Sequence, residues 1–356
     1  MKRLKLIISS VLVAVLIATA FTGCGGSSDE KKTSNDSYTI KIAHSMAPEH
    51  SYNAAAQKFK EIIEEETDGR ITVEVYANGQ LGAERETIEA VQAGTLEMVV
   101  TGTSAMSGFV PEWQVFDMAY LFKDYDEFWT VMKSDIGEKY CHEYAEEKGF
   151  RGLGIGCMGT RNIHSVTNPV YDMEDIEGMK VRVMESNVHI KSFKAMGAAP
   201  VTMAFSELFT ALEQGTVDAE EAVPSAAYTS KTYEICKYYS LTQHFWLPTC
   251  MFISEKFFQT LSPEDQALIE EAGDQAMEYQ WEYHKQADEE SLEIMKEAGT
   301  QVNEVKDKTP FVKAAHSVYE DILEDVPHGK ETMEEMERML GRDMYEVFDA
   351  QTVTEK

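Results

Sequence analysis

Arginine is the residue type whose placement in this sequence points most directly to chemistry. After the first few residues only Arg70, Arg85, Arg151, Arg161, Arg182, Arg338 and Arg342 occur. Arg161 follows a glycine-rich stretch, and Arg182 stands between valines in Val181-Arg182-Val183. A guanidinium alternating with valines on a strand faces one side of its sheet, and burial there demands a partner. Two partners fit. One is a carboxylate of the chain itself, in a structural ion pair; the other is the carboxylate of a ligand held bidentately in a cleft. With 62 Asp and Glu against 32 Lys and Arg, a formal charge of −30, anion binding needs a locally positive pocket. The same charge repels a phosphate backbone and excludes nucleic acid as a partner.

Other patterns fail on context. Gly154-Ile155-Gly156-Cys157-Met158-Gly159 matches a dinucleotide fingerprint, but Thr160 to Pro169 is rich in β-branched residues and meets a proline instead of opening a helix. The glycines fit a tight strand end better. His142-Glu143 has Glu146 where a zinc protease carries its second histidine. No nucleophile elbow or phosphate-binding loop is present. Cys141, Cys157, Cys236 and Cys250 show no CxxC spacing and read as buried thiols; whether any pair oxidises is open. No cofactor or metal is expected from these spacings, and no enzyme chemistry.

The elements that must position the arginines follow from patterning. A chain of 356 residues with 43% apolar content predicts about two domains with sizeable cores. Lys2, Arg3 and Lys5 precede an apolar run from Leu6 to Ala20, so residues 1–23 read as a signal peptide. Phe21-Thr22-Gly23-Cys24 resembles a bacterial lipobox, although Phe21 departs from the usual leucine. This makes Cys24 a lipidation site and 24–37 a polar tether. Tyr38–Ala43 and Ile71–Val75 alternate as strands, separated by a helical repeat through Tyr52, Ala56, Phe59 and Ile63. A helix over Glu84–Ala93 and a strand over Leu96–Val100 follow, an order that predicts a parallel sheet covered by helices. The pattern returns at 178–183 and 187–196, giving a second α/β lobe. Ser262-Pro263-Glu264-Asp265 opens a helix that continues to about Gly299, roughly 50 Å at 1.5 Å per residue, long enough to brace both lobes.

Several motifs in order then carry a resemblance that covers the chain from about Tyr38 to its C-terminal helices. They are Ala77-Asn78-Gly79-Gln80-Leu81-Gly82, Gly159-Thr160-Arg161, Asp175 through Val183, Met203-Ala204-Phe205-Ser206-Glu207-Leu208, and Gln214-Gly215-Thr216-Val217-Asp218. The sequence resembles the DctP-like solute-binding proteins of tripartite ATP-independent periplasmic (TRAP) transporters. The resemblance implies a two-lobed α/β periplasmic-binding-protein fold, type II-like, with a long helix spanning both lobes. Its expected lobes are 38–158 with about 249–290, and 159–248 with about 291–350. It further implies a receptor outside the cytoplasm, held at the membrane here by the lipid expected on Cys24, that delivers a small organic acid, a uronate or a dicarboxylate, to membrane permease subunits. The carboxylate clamp falls on Arg182, the second pocket arginine on Arg161 and the packing aromatic on Phe205. His44 and Ser45 match the N-terminal pocket loop, with Thr103, Glu185 and Glu221 as further candidates. Glu221-Ala222-Val223-Pro224 lacks the asparagine many members carry after the glutamate, and Gly102 stands near the pocket glutamate of sialic-acid binders, so sialic acid is not expected. Trp246 walls the cleft or packs at the hinge. Two other functions fit a surface-anchored α/β protein: a sensory receptor for a carboxylate, and a surface hydrolase.

Overall fold

The computed structural model describes residues 36–348. The expected signal peptide, the expected lipid site at Cys24 and most of the expected tether lie outside these residues. Among the described residues nine strands form one sheet: β1 (Tyr38–Ala43), β2 (Ile71–Tyr76), β3 (Met98–Gly102), β4 (Phe150–Ser165), β5 (Lys180–Val183), β6 (Ala199–Thr202), β7 (Ala219–Ala222), β8 (Tyr238–Ser254) and β9 (Gln301–Glu304). Their order is β2-β1-β3-β8-β4-β7-β5-β6, with β9 beside β8.

The parallel pairing expected from the strand–helix alternation forms within each half, and two long antiparallel strands join the halves. β1 pairs in parallel with β2 and β3, and β5 pairs in parallel with β6 and β7. The two parallel groups are joined by β4 and β8, which run antiparallel to each other; β8 is antiparallel to β3 and β4 to β7. The last residues of β8 pair with β3 in the first group, while the last residues of β4 pair with β7 in the second. These two strands, 16 and 17 residues long, therefore thread both halves of the molecule.

Both faces of the sheet are buried, as parallel strands covered by helices require. Along β8, Cys250 and Phe252 enter one apolar core while Met251 and Ile253 enter the other. The helices that matter for function are α1 (Ser51–Glu66), α2 (Glu84–Ala93), α3 (Asn187–Ala195), α4 (Phe205–Glu213), α5 (Pro224–Thr229) and α6 (Pro263–Glu297). Helix α6 begins as its sequence predicts: the Ser262 hydroxyl accepts from the Asp265 amide at 3.1 Å, and Pro263 occupies the first turn. Its 35 residues extend about 52 Å. Near its start Asp265 pairs with Arg70 beside β2; near its end the Asp288 carboxylate accepts from the Ser225 amide of α5 at 2.8 Å. The helix thus ties the first parallel group to the segment after β7.

The glycines of the failed dinucleotide motif have their purpose here. Gly154 and Gly156 lie in β4 under α6, where side chains would collide with the helix. A Cβ on Gly154 would sit 2.8 Å from Asp274 Cα and 3.0 Å from Gly273 O. At the same crossing the Gln280 side chain bonds to the Cys157 amide and carbonyl, each at 3.1 Å, and to Ser51 Oγ at 3.0 Å. Because the atoms against Gly154 are backbone, Gly154→Ala has no flexible neighbour to displace. It is expected to destabilise the fold by about 1–3 kcal/mol, read as a lower urea midpoint at unchanged slope.

Candidate functional site

A cavity of about 520 Å³ opens where the C-terminal ends of the two parallel groups meet, within the size range of small-molecule sites. Its walls are the loops that leave those strands: Ser45 after β1, Asn78 to Arg85 after β2, Ala105 after β3, Met184 and Glu185 after β5, and Ala204 to Phe209 after β6. Parallel α/β sheets bind ligands at this end because loop length and composition can vary there without disturbing the core. A smaller inner cavity of about 40 Å³ shares Ser45, Glu84, Arg182, Met184 and Phe205 with it and adds Arg161, Glu220 and Glu221.

The two arginines of the sequence analysis have different partners. Arg161, buried in β4, pairs through Nε with a Glu221 carboxylate oxygen and through Nη2 with the Glu221 carbonyl. Glu221 belongs to β7 and is itself fully buried. Burial alone would raise its pKa, yet the Arg161 guanidinium and the neighbouring His189, 3.8 Å away, hold it well below the usual carboxylate range. This is the structural ion pair.

Arg182, on β5, is also buried, but its one hydrogen-bond acceptor among the described residues is the Met203 carbonyl, which accepts from Nε at 3.2 Å and from Nη2 at 2.9 Å. No carboxylate among the described residues lies within ion-pair distance of it. Burial and the Arg161 charge pull its pKa down, opposed by the fields of Glu221, Glu220 and Glu84. Fixing Nε and one Nη2 proton leaves the Nη1/Nη2 edge for a bidentate acceptor. The guanidinium lies over the Phe205 ring, 5.9 Å from its centroid, which sets the plane of that edge.

The other predicted residues separate into two sets. Ser45, Glu185 and Phe205 line the cavity, Glu185 from an exposed position. His44 and Thr103 do not reach it: His44 is buried with Nε2 3.3 Å from Asn53 Oδ1, and the Thr103 hydroxyl donates to the Pro248 carbonyl at 3.1 Å. Trp246 is in the core, donating from Nε1 to Phe122 O and packed edge-on to Tyr125. It belongs to the packing beneath the cleft.

Glu84 is the residue that pattern reading missed. It borders both cavities and accepts from the Thr101 hydroxyl at 2.6 Å. Burial raises its pKa, opposed by that hydrogen bond and by the fields of Arg182 and Arg161. In the sequence it is an acid in the first turn of α2, where a carboxylate normally answers the helix dipole. The available signal was its position two residues after the glycine-containing loop 77–82.

Buried histidines around the site make the fold acid-sensitive. Burial pushes His44 down to about 4 and His244 down to about 3, from an ordinary value near 6.5. Below pH 6.5 the unfolded chain takes up protons that the folded chain refuses, so stability is complete above that pH and falls as pH drops toward 4. At about 1.4 kcal/mol per unit, each such histidine removes up to about 2 kcal/mol between pH 6.5 and 5. The melting temperature is expected to fall over this interval, and His244→Asn to flatten the decline.

Two α/β halves that share long crossing strands and place a charged cavity between their loop ends define a two-lobed small-molecule receptor. The chain belongs to the DctP family, described as bacterial extracellular solute-binding protein, family 7, whose model matches residues 42–325. It is 33% identical to the C4-dicarboxylate-binding periplasmic protein DctP of Rhodobacter capsulatus over 288 residues, 81% of this chain and 84% of that one. Among solved structures it matches a TRAP periplasmic solute-binding protein of a Polaromonas species bound to D-erythronate, with TM-score 0.81 and 32% identity, covering 84% of this chain and 98% of the other. It also matches one from a Sulfitobacter species with bound β-D-galacturonate, with TM-score 0.80 and 29% identity, covering 83% and 97%. The two-lobed fold with its long helix agrees with what the sequence motifs imply. Members of this family act outside the cytoplasm, and no helix among the described residues is long and apolar enough to cross a membrane.

Proposed function

We propose that this chain is the receptor of a TRAP transporter and binds a polyhydroxylated monocarboxylate, a uronate or aldonate, with the carboxylate on Arg182. The observation that carries this reading is the asymmetry of the two buried arginines: Arg161 is answered by Glu221, whereas Arg182 borders the cavity with no carboxylate within ion-pair distance among the described residues. A guanidinium buried in that state gains its missing counter-ion when an acid binds.

The rest of the wall favours hydroxyl groups over a second carboxylate. Glu84 and Glu185 line the same cavity and accept hydrogen bonds from hydroxyls, but they repel another anion. The remaining cations there are peripheral: Arg85 is more than half exposed and paired with Glu89 at 3.2 Å, and Lys231 is exposed. Solvent screens both. Bound erythronate and galacturonate in the similar structures support the same class. Phe205, Ser45 and Glu84 complete the set, with Arg161 and Glu221 holding the floor.

Closure of the two lobes buries the acid. We set the lobe boundaries at 158/159 and 248/249, a choice supported by the register shift between Cys157 and Thr160, by Gly159 at φ 64° and by Pro248 opposite Cys157. Proline withholds a ladder donor, and the shift interrupts pairing at the same level, so both crossing strands bend most easily there. The lipid anchor at Cys24 and the tether keep the receptor near its permease, and the bound acid is passed on unchanged. A thermal-shift screen of refolded protein against uronates, aldonates, C4-dicarboxylates and 2-oxoacids tests the assignment. The melting temperature should rise most with sugar acids. A rise confined to dicarboxylates contradicts the assigned class, and silence across all acids contradicts the receptor reading.

A further inference from the structure

Behind Arg182 the strands bring together three side chains that binding of an organic acid does not use. His164 on β4 and Glu220 on β7 are register partners, and Glu220 is in turn the register partner of Arg182 on β5. Cys236 joins them from the turn that precedes β8. One donor atom from each of the three lies within 4.8 Å of the others, and all three residues are essentially inaccessible to solvent. His164 Nδ1 is 3.0 Å from Glu220 Oε1, while its Nε2 is buried without a hydrogen-bond partner. Leaving such a nitrogen unsatisfied is costly, and a bound ion or water is one way to answer it.

The donor set itself specifies the occupant. An imidazole nitrogen, a thiolate sulfur and a carboxylate oxygen make a borderline-soft set that suits zinc, and calcium or magnesium would require oxygen alone. Glu220 and a deprotonated Cys236 carry two negative charges between them, so a dication leaves no net charge in the interior. A route exists as well, because Glu220 borders the small inner cavity that adjoins the ligand cleft.

The geometry points to a zinc site formed by His164, Glu220 and Cys236, a staple that fixes β4, β7 and the start of β8 beneath the ligand-clamping arginine. Water completes the tetrahedron. The ion also answers the Glu220 carboxylate, so that Arg182 meets the ligand with more of its charge uncompensated from within the protein.

The test is metal content together with cobalt spectroscopy on the whole chain. Protein refolded with zinc and dialysed against a metal-free buffer should retain about one zinc per chain by elemental analysis, falling at least tenfold in Cys236→Ser and His164→Gln. Refolding with cobalt should give a near-ultraviolet thiolate-to-metal charge-transfer band. That band reads the site in the unaltered chain and does not depend on the variants folding. Three results overturn the site: no retained metal, retained cobalt without the thiolate band, or a band that persists in Cys236→Ser.

Discussion

Arg182→Ala is expected to abolish binding of the organic acid while leaving the ligand-free protein as stable as before, or more so. The two effects share one cause. In the ligand-free chain the Arg182 guanidinium is buried with the Met203 carbonyl as its hydrogen-bond acceptor and no carboxylate within ion-pair distance among the described residues, so removing it discards a desolvated charge that is only partly compensated. In the complex the same guanidinium is the counter-ion of a desolvated carboxylate. Truncating one member of such a pair costs about 2–5 kcal/mol, or roughly 30- to several-thousand-fold in affinity. Arg182→Lys should recover little, because an ammonium cannot present a planar two-donor edge while also holding the Met203 carbonyl. Calorimetric titration with a bound sugar acid and thermal unfolding without it measure the two halves. Retained affinity, or a collapse of stability in the ligand-free variant, would place Arg182 in the structural role.

The opposite behaviour is expected one strand away. Glu221→Gln keeps the shape of the side chain but leaves Arg161 buried without its carboxylate, beside His189 and His244. Breaking a buried pair from one side costs about 3–5 kcal/mol. For a protein of this size, with an unfolding entropy of about 0.7 kcal/mol/K, that lowers the melting temperature by roughly 4–7 °C. The double variant Arg161→Met with Glu221→Leu removes both charges and should recover most of that loss, because apolar groups of similar volume carry no desolvation penalty. Chemical denaturation of the two variants separates the cases. If Glu221→Gln were as stable as the unaltered chain, the pair would not be carrying the floor of the cavity.

Local patterning made much of the fold legible. The helix over Glu84–Ala93 has the bounds its sequence suggests, and Ser262 caps α6 as its neighbours imply. Ser45, Phe205, Glu185 and Arg182 line one cavity, whereas His44 and Thr103 are turned to neighbouring backbone or side chains. The long strands β4 and β8 were less readable, because their glycines and prolines serve a helix crossing and a bend that only the assembled sheet reveals. Two arginines with the same motif support could not be told apart, since the difference lies in Glu221, which is 60 residues from Arg161. Glu84 was hidden by a common local role, and His164, Glu220 and Cys236 converge only when β4, β7 and the turn before β8 assemble.

The most direct measurement is isothermal titration of refolded, ligand-free protein with D-galacturonate and with succinate under identical salt. One unpaired guanidinium facing two cavity carboxylates predicts that the sugar acid binds at least tenfold more tightly. Succinate binding as tightly as galacturonate, or neither acid binding, would contradict an account built on Arg182 as the cavity's one buried cation without a carboxylate partner among the described residues.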